Sequence, residues 1–165
     1  MQQNRILSIF ETLARHQVEY LVVGGVAAVL GGAPVSTFDL DIVHSTSPEN
    51  VARILTALDE LDAHYRFRPE LRPGASHLAT PGHQLLMTRY GPFDVLGMIG
   101  KGRTYFDLLP LTVEMEVRSG VRVRVLSLEA QIAVKEEVGG EKDAAMLPLL
   151  RRTLEESRKR QRREG

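Results

Sequence analysis

Apolar residues recur at helical spacing from the start of the chain. Ile6, Leu7, Phe10, Leu13 and Ala14 fall on one face and predict an amphipathic helix over residues 3–16. The period then changes. Tyr20 to Val23 is a short β-rich run ended by Gly24-Gly25, and a second short helix over Val26 to Leu30 stops at Gly31-Gly32 and Pro34. Phe38 to Val43, FDLDIV, alternates its side chains as a strand with one buried face does. Ser47 as N-cap and Pro48 at the first helical position open a helix reaching about Ala63. Residues 69–83 hold three prolines and two glycines with few large apolar groups, and they read as a mobile loop.

Hairpins follow. Gln84–Tyr90 and Phe93–Leu96 flank Gly91-Pro92, and Leu111–Val117 and Val121–Val125 flank Ser119-Gly120, with a short helix over 103–108 between them. Ser127 caps a helix to about Val138, and Gly139-Gly140 separates it from a last helix over about 141–160. There is no internal repeat. Strand pairs interleaved with helices predict an α+β fold, a short mixed sheet flanked by helices with a C-terminal helical pair. The expected division is a core over 1–126 and helices over 127–165 that pack on it and end in a frayed basic tail.

Composition sharpens this picture in three places. At 165 residues and 43% hydrophobic content the chain can build one cored domain without covalent staples. Cysteine is absent, which excludes disulfides and thiolate metal sites and fits a reducing cytoplasm. No secretory signal is read at the start, and the longest apolar run, Tyr20 to Leu30, is too short and too broken to span a bilayer. Twenty-one basic residues balance twenty-one acidic ones, so a uniformly basic nucleic-acid binder is not indicated. The charge is uneven, however, and the chain ends in ESRKRQRREG.

The candidate chemistry lies in residues 20–43, YLVVGGVAAVLGGAPVSTFDLDIV. Asp39 and Asp41 sit two apart on the expected strand, so both carboxylates project from one face with α-carbons roughly 7 Å apart. Phe38, Leu40 and Ile42 assign the opposite face to the core. Two like charges beside a core call for a neutralising cation. The alternative is a solvated edge, or a pair held by arginines. Gly24-Gly25, between a strand and a helix, lets backbone approach a ligand and turns helix N–H groups toward phosphate oxygens, or it merely permits a tight bend. Ser36 and Thr37 can add hydroxyl contacts. No Walker loop and no dinucleotide fingerprint is present.

Gly24-Gly25, thirteen intervening residues, then Asp39-Leu40-Asp41-Ile42, resemble the hallmark of the DNA-polymerase-β-like nucleotidyltransferase superfamily. The local texture GGVAAVLGGAPVSTFDLDI is most similar to its small bacterial branch, which includes toxin-type enzymes of abortive-infection and toxin–antitoxin systems. The resemblance implies a metal-dependent transfer of a nucleotidyl group from a nucleoside triphosphate, with Mg²⁺ or Mn²⁺ on three carboxylates. It implies Asp39 and Asp41 as two of them and a third on a neighbouring strand. Asp94, in Phe93-Asp94-Val95-Leu96, is the best candidate, with Glu114 in reserve ahead of Asp107 and Glu116. The branch also implies Lys135 and Lys142 as triphosphate contacts, with Asp143 holding one of them. Gly140 stands where a basic residue is expected, which puts one contact in doubt.

The implied partners are the triphosphate, an RNA, protein or small-molecule acceptor and an antitoxin protein, with no membrane. Two other functions are compatible with the sequence: a non-catalytic nucleotide-binding module of the same fold, and a nucleic-acid adaptor working through the basic tail. The five histidines show no metal-ligand spacing. Arg66, Arg68 and Arg72 form either an acceptor contact or a solvated face.

Overall fold

The computed structural model describes residues 2–118 and 120–165. Helix α1 (Gln2–Arg15) places Ile9, Phe10 and Leu13 in the core and leads into β1 (Tyr20–Val23). Then come α2 (Gly24–Leu30), β2 (Leu40–His44) and α3 (Pro48–Glu60). The Ser47 hydroxyl accepts a hydrogen bond from the Asn50 backbone N–H at 3.3 Å, the N-cap expected of a serine before Pro48. After β3 (His64–Tyr65) and the one-turn α4 (Ala75–Leu78) the chain forms β4 (His83–Thr88) and β5 (Gly91–Leu96). A ribbon of β6 (Met98–Ile99) with β7 (Arg103–Thr104) precedes α5 (Tyr105–Leu108). The hairpin β8 (Thr112–Arg118) and β9 (Val121–Leu126) then leads to α6 (Leu128–Val138) and α7 (Glu141–Glu164).

Among the described residues the main sheet has seven strands in the order β3-β4-β5-β2-β1-β9-β8. β2 runs parallel to β5 and β1 parallel to β9, while the other pairs are antiparallel, so the sheet is mixed as expected. One face carries Val22, Leu40, Ile42, Phe93 and Val95 against the apolar sides of α1 and α3. The other carries Leu21, Val23, Val43 and Leu96 against Tyr105, Leu108 and Ala130. Leu128 and Ile132 of α6 and Leu150 of α7 pack with Ala28 of α2, which fixes the helical pair to the core.

Several expectations need correction. Gly24 and Gly25 follow the end of β1 as expected, but α2 begins at Gly24 rather than at Val26, so they form its first turn. The carboxylate strand begins at Leu40, so Asp39 lies just before it, and Phe38 is 65% exposed rather than part of the core face. Residues 69–83 are not a structureless loop, because α4 buries Leu78 completely. The first hairpin turns at Arg89-Tyr90, and Gly91 and Pro92 belong to β5. The cause is Thr88, whose hydroxyl accepts from the Tyr90 N–H at 3.1 Å and donates to the Gly91 carbonyl at 2.8 Å. α7 continues to Glu164, past the expected end near residue 160, through a run rich in Glu, Arg, Lys and Gln, all good helix formers. The second hairpin is as expected, with Ser119 of its turn outside the described residues.

Candidate active site

Leu40 and Ile42 on β2, and Phe93 and Val95 on β5, are fully buried in one core. Side chains alternate along a strand, so Asp41 and Asp94 must emerge on the other face. The parallel register sets them directly opposite each other. β1 runs antiparallel to β2 with Val23 opposite Asp41, which brings the next residue, Gly24, alongside the carboxylate. Two observations show why that residue is glycine. Its φ is +69°, and a Cβ there would overlap Oδ2 of Asp41. At Gly25 a Cβ would lie 2.6 Å from the Thr37 hydroxyl oxygen. Thr37 in turn donates to the Asp39 carbonyl at 3.3 Å, so the segment carrying Asp39 rests on the glycine turn.

Burial pushes the Asp41 carboxyl up to about 7, with the nearby Asp94 and Asp39 carboxylates adding to the rise and Arg66 opposing it. Asp41 and Asp94 thus face each other across β2 and β5, and Asp39, just before β2, is close enough to act on the Asp41 charge. Arg66, just after β3, reaches across β4 and forms an ion pair with Asp94 through Nη2. In front of Asp41 opens a cavity of about 250 Å³ whose walls include Gly24, Val23, Leu96, Ile99, Leu126, Val134, His83, Lys135 and Asp143. Carboxylate oxygens are the hard donors that Mg²⁺ and Mn²⁺ prefer, and a cationic side chain already resting on the cluster shows that it attracts positive charge. Among the described residues no three acidic or histidine side chains stand as a ready-made metal cage, and Asp94 is engaged by Arg66. The residues thus fit a divalent cation in donor chemistry, with Asp41 and Asp94, opposite each other on parallel strands, as the pair that would hold it.

No protein-family model matches the chain, and no curated protein matches it. A solved structure does. The crystal structure of a "putative nucleotidyltransferase" from Thermotoga maritima superposes with a TM-score of 0.58 at 22% sequence identity, covering 92% of this chain and 91% of that one. The chain has a nucleotidyltransferase-like fold. At this identity the likeness is one of fold.

Within this nucleotidyltransferase-like fold the other expected residues scatter. Lys135 reaches the rim of the carboxylate cavity, where its ammonium donates to Asp143 at 3.0 Å. Lys142 is exposed and is not part of that cavity's lining. Ser36 is also away from it. With Thr37 it lines a larger cavity of about 390 Å³ between α1 and α2, walled by Ile6, Phe10, Val26 and Leu30 and distinct from the carboxylates. The rival acids have other partners: Glu114, on the β8 edge, accepts from Arg122 at 2.9 Å, and Asp107 accepts from the Thr104 backbone at the start of α5. Sequence reading did not connect Arg66 with Asp94, because that pairing depends on the β3-β4-β5 register. It also missed His83 and Gln131 as cavity residues; neither has a sequence signal beyond its strand or helix position.

Proposed function

We propose that the chain is a metal-dependent nucleotidyltransferase, moving a nucleotidyl group from a nucleoside triphosphate to an acceptor hydroxyl. One observation carries the proposal: Asp41 and Asp94 face each other on parallel strands with Asp39 nearby, and a glycine turn abuts the Asp41 carboxylate beside a cavity. Asp39, Asp41 and Asp94 would hold Mg²⁺ or Mn²⁺. The cation would offset charge on the triphosphate, the attacking oxygen and the pyrophosphate that leaves.

The remaining steps belong to the protein. The backbone N–H groups of Gly24 and Gly25 would donate to phosphate oxygens. Lys135, steadied by Asp143, offers a point charge to the polyphosphate, with Lys142 a more distant second. The apolar wall of Val23, Leu96, Ile99 and Leu126 gives a nucleobase a face to pack on. The acceptor oxygen would attack the α-phosphorus in line as pyrophosphate leaves, and Asp94 would take its proton. Kinship with the toxin-type branch, an RNA, protein or small-molecule acceptor and an antitoxin partner are further parts of the proposal, supported by the motif texture of residues 24–42 and the Lys135–Asp143 pair. In a test with labelled triphosphates and Mg²⁺, the wild type should incorporate label, and Asp39→Ala and Asp41→Ala should abolish it. Equal labelling by both variants would refute the mechanism.

The Arg66–Asp94 ion pair favours a second reading, a non-catalytic module that binds nucleotide and acts through a partner. Calorimetry distinguishes the two. Mg²⁺-dependent triphosphate binding with no turnover against any acceptor class would select the module.

A further inference from the structure

Arg66 is an unusual guardian for a structural carboxylate. Its side chain is 20% exposed and that of Asp94 14%, so the pair is largely shielded from water. Yet the guanidinium is poorly satisfied. Nη2 alone does the work, reaching both Asp94 Oδ1 and the Leu86 carbonyl, the latter at 3.1 Å. Nε is buried with no hydrogen-bond partner. A fixed buried arginine normally uses its planar fork, two parallel N–H groups on one carboxylate, and an unpaired buried donor is destabilising. Among the described residues, no other ion pair engages Asp39, Asp41 or Asp94. Arg66 sits just past the edge strand β3, where its backbone N–H donates to the Leu85 carbonyl at 3.0 Å and the next residue, Phe67, is 75% exposed.

We propose that Arg66 is a displaceable counter-ion: its guanidinium occupies the charge position that a divalent cation takes, so metal binding and the Arg66–Asp94 ion pair exclude each other. The inference rests on the metal-dependent reading above and adds a regulation to that site. Without metal, Arg66 offsets like charges that would otherwise repel one another across β2 and β5. When a cation arrives, the Asp94 oxygen must be released, so part of the metal's binding free energy is spent on displacing the arginine. Apparent affinity for the metal is lowered accordingly.

The test is calorimetric titration of Mn²⁺ into the full chain as wild type, Arg66→Met and Asp41→Asn, each checked for folding by thermal melting. Removing the competitor should tighten Mn²⁺ binding about tenfold or more, a difference of about 1.4 kcal/mol. Metal-free Arg66→Met should melt lower than wild type, since Asp94 loses its counter-charge, and Mn²⁺ should raise its melting temperature more than that of wild type. Equal or weaker Mn²⁺ binding by folded Arg66→Met would overturn the proposal and leave the functional reading intact. Wild-type Mn²⁺ binding that persists in Asp41→Asn would instead refute the functional reading. Should Arg66→Met not fold, a wild-type crystal grown with Mn²⁺ decides: the guanidinium should have left Asp94, and a bound cation beside an unbroken ion pair would refute exclusion.

Discussion

In the metal-free protein the Asp41 carboxyl keeps its proton up to about pH 7, against an ordinary value of 3.8, because it is buried and faces Asp94 and Asp39. Between those two values the folded chain binds more protons than the unfolded chain. This contribution is therefore fully present below about pH 4, falls as pH rises, and is gone above about pH 7. Asp41→Asn removes the charge and should raise the melting temperature by a few degrees at pH 8, with the gain shrinking toward pH 4. Identical melting of the two proteins across that range would contradict the electrostatics described here. Gly24 makes a second prediction. Alanine there needs a strained positive φ, of order 1–3 kcal/mol, and its Cβ displaces Asp41. Nucleotidyl transfer should fall far more than the denaturation midpoint does. At this scale the sequence was informative where function constrains the residue type: the glycine pair and the Asp-x-Asp spacing are local patterns. Arg66 was not legible as an Asp94 partner, since the two are 28 residues apart and meet only through sheet register.

Elements with their own periodicity or caps were readable from the chain. β1 has the expected bounds, and α3 and α6 start at their serines. Elements that depend on one anchor or one hydroxyl were not. Leu78 turns a proline- and glycine-rich stretch into an ordered segment through a single buried side chain, and Thr88 moves a hairpin turn away from the Gly-Pro pair. Leu78→Ala should lower stability by about 2–5 kcal/mol in urea unfolding, as for other buried leucines. A loss under about 0.5 kcal/mol would mean that the segment does not pack as described.

Across the whole molecule the neutral net charge hides a separation. Residues 151–165 hold seven basic and three acidic side chains, which leaves fourteen basic and eighteen acidic in the rest. The acidic body carries the carboxylate site, and the basic excess lies on the last turns of α7, where nearly every residue after Leu154 is exposed. Removing residues 157–165 should leave Mn²⁺ binding unchanged and shift the melting temperature little, because no large apolar side chain is lost. A strong drop in either would give the tail a structural role. Among the described residues no helix is long and apolar enough to cross a membrane. The fold class was legible because two strand pairs interleaved with helices admit few arrangements. The strand order, which puts β5 beside β2, was not; yet it is that neighbourhood that sets Asp94 opposite Asp41.

The most direct measurement is anomalous diffraction from a crystal soaked with Mn²⁺ and a nonhydrolysable nucleoside triphosphate. The account predicts manganese peaks between Asp39, Asp41 and Asp94, with the triphosphate over Gly24-Gly25. Manganese elsewhere, or a triphosphate seated away from the glycine turn, would contradict it.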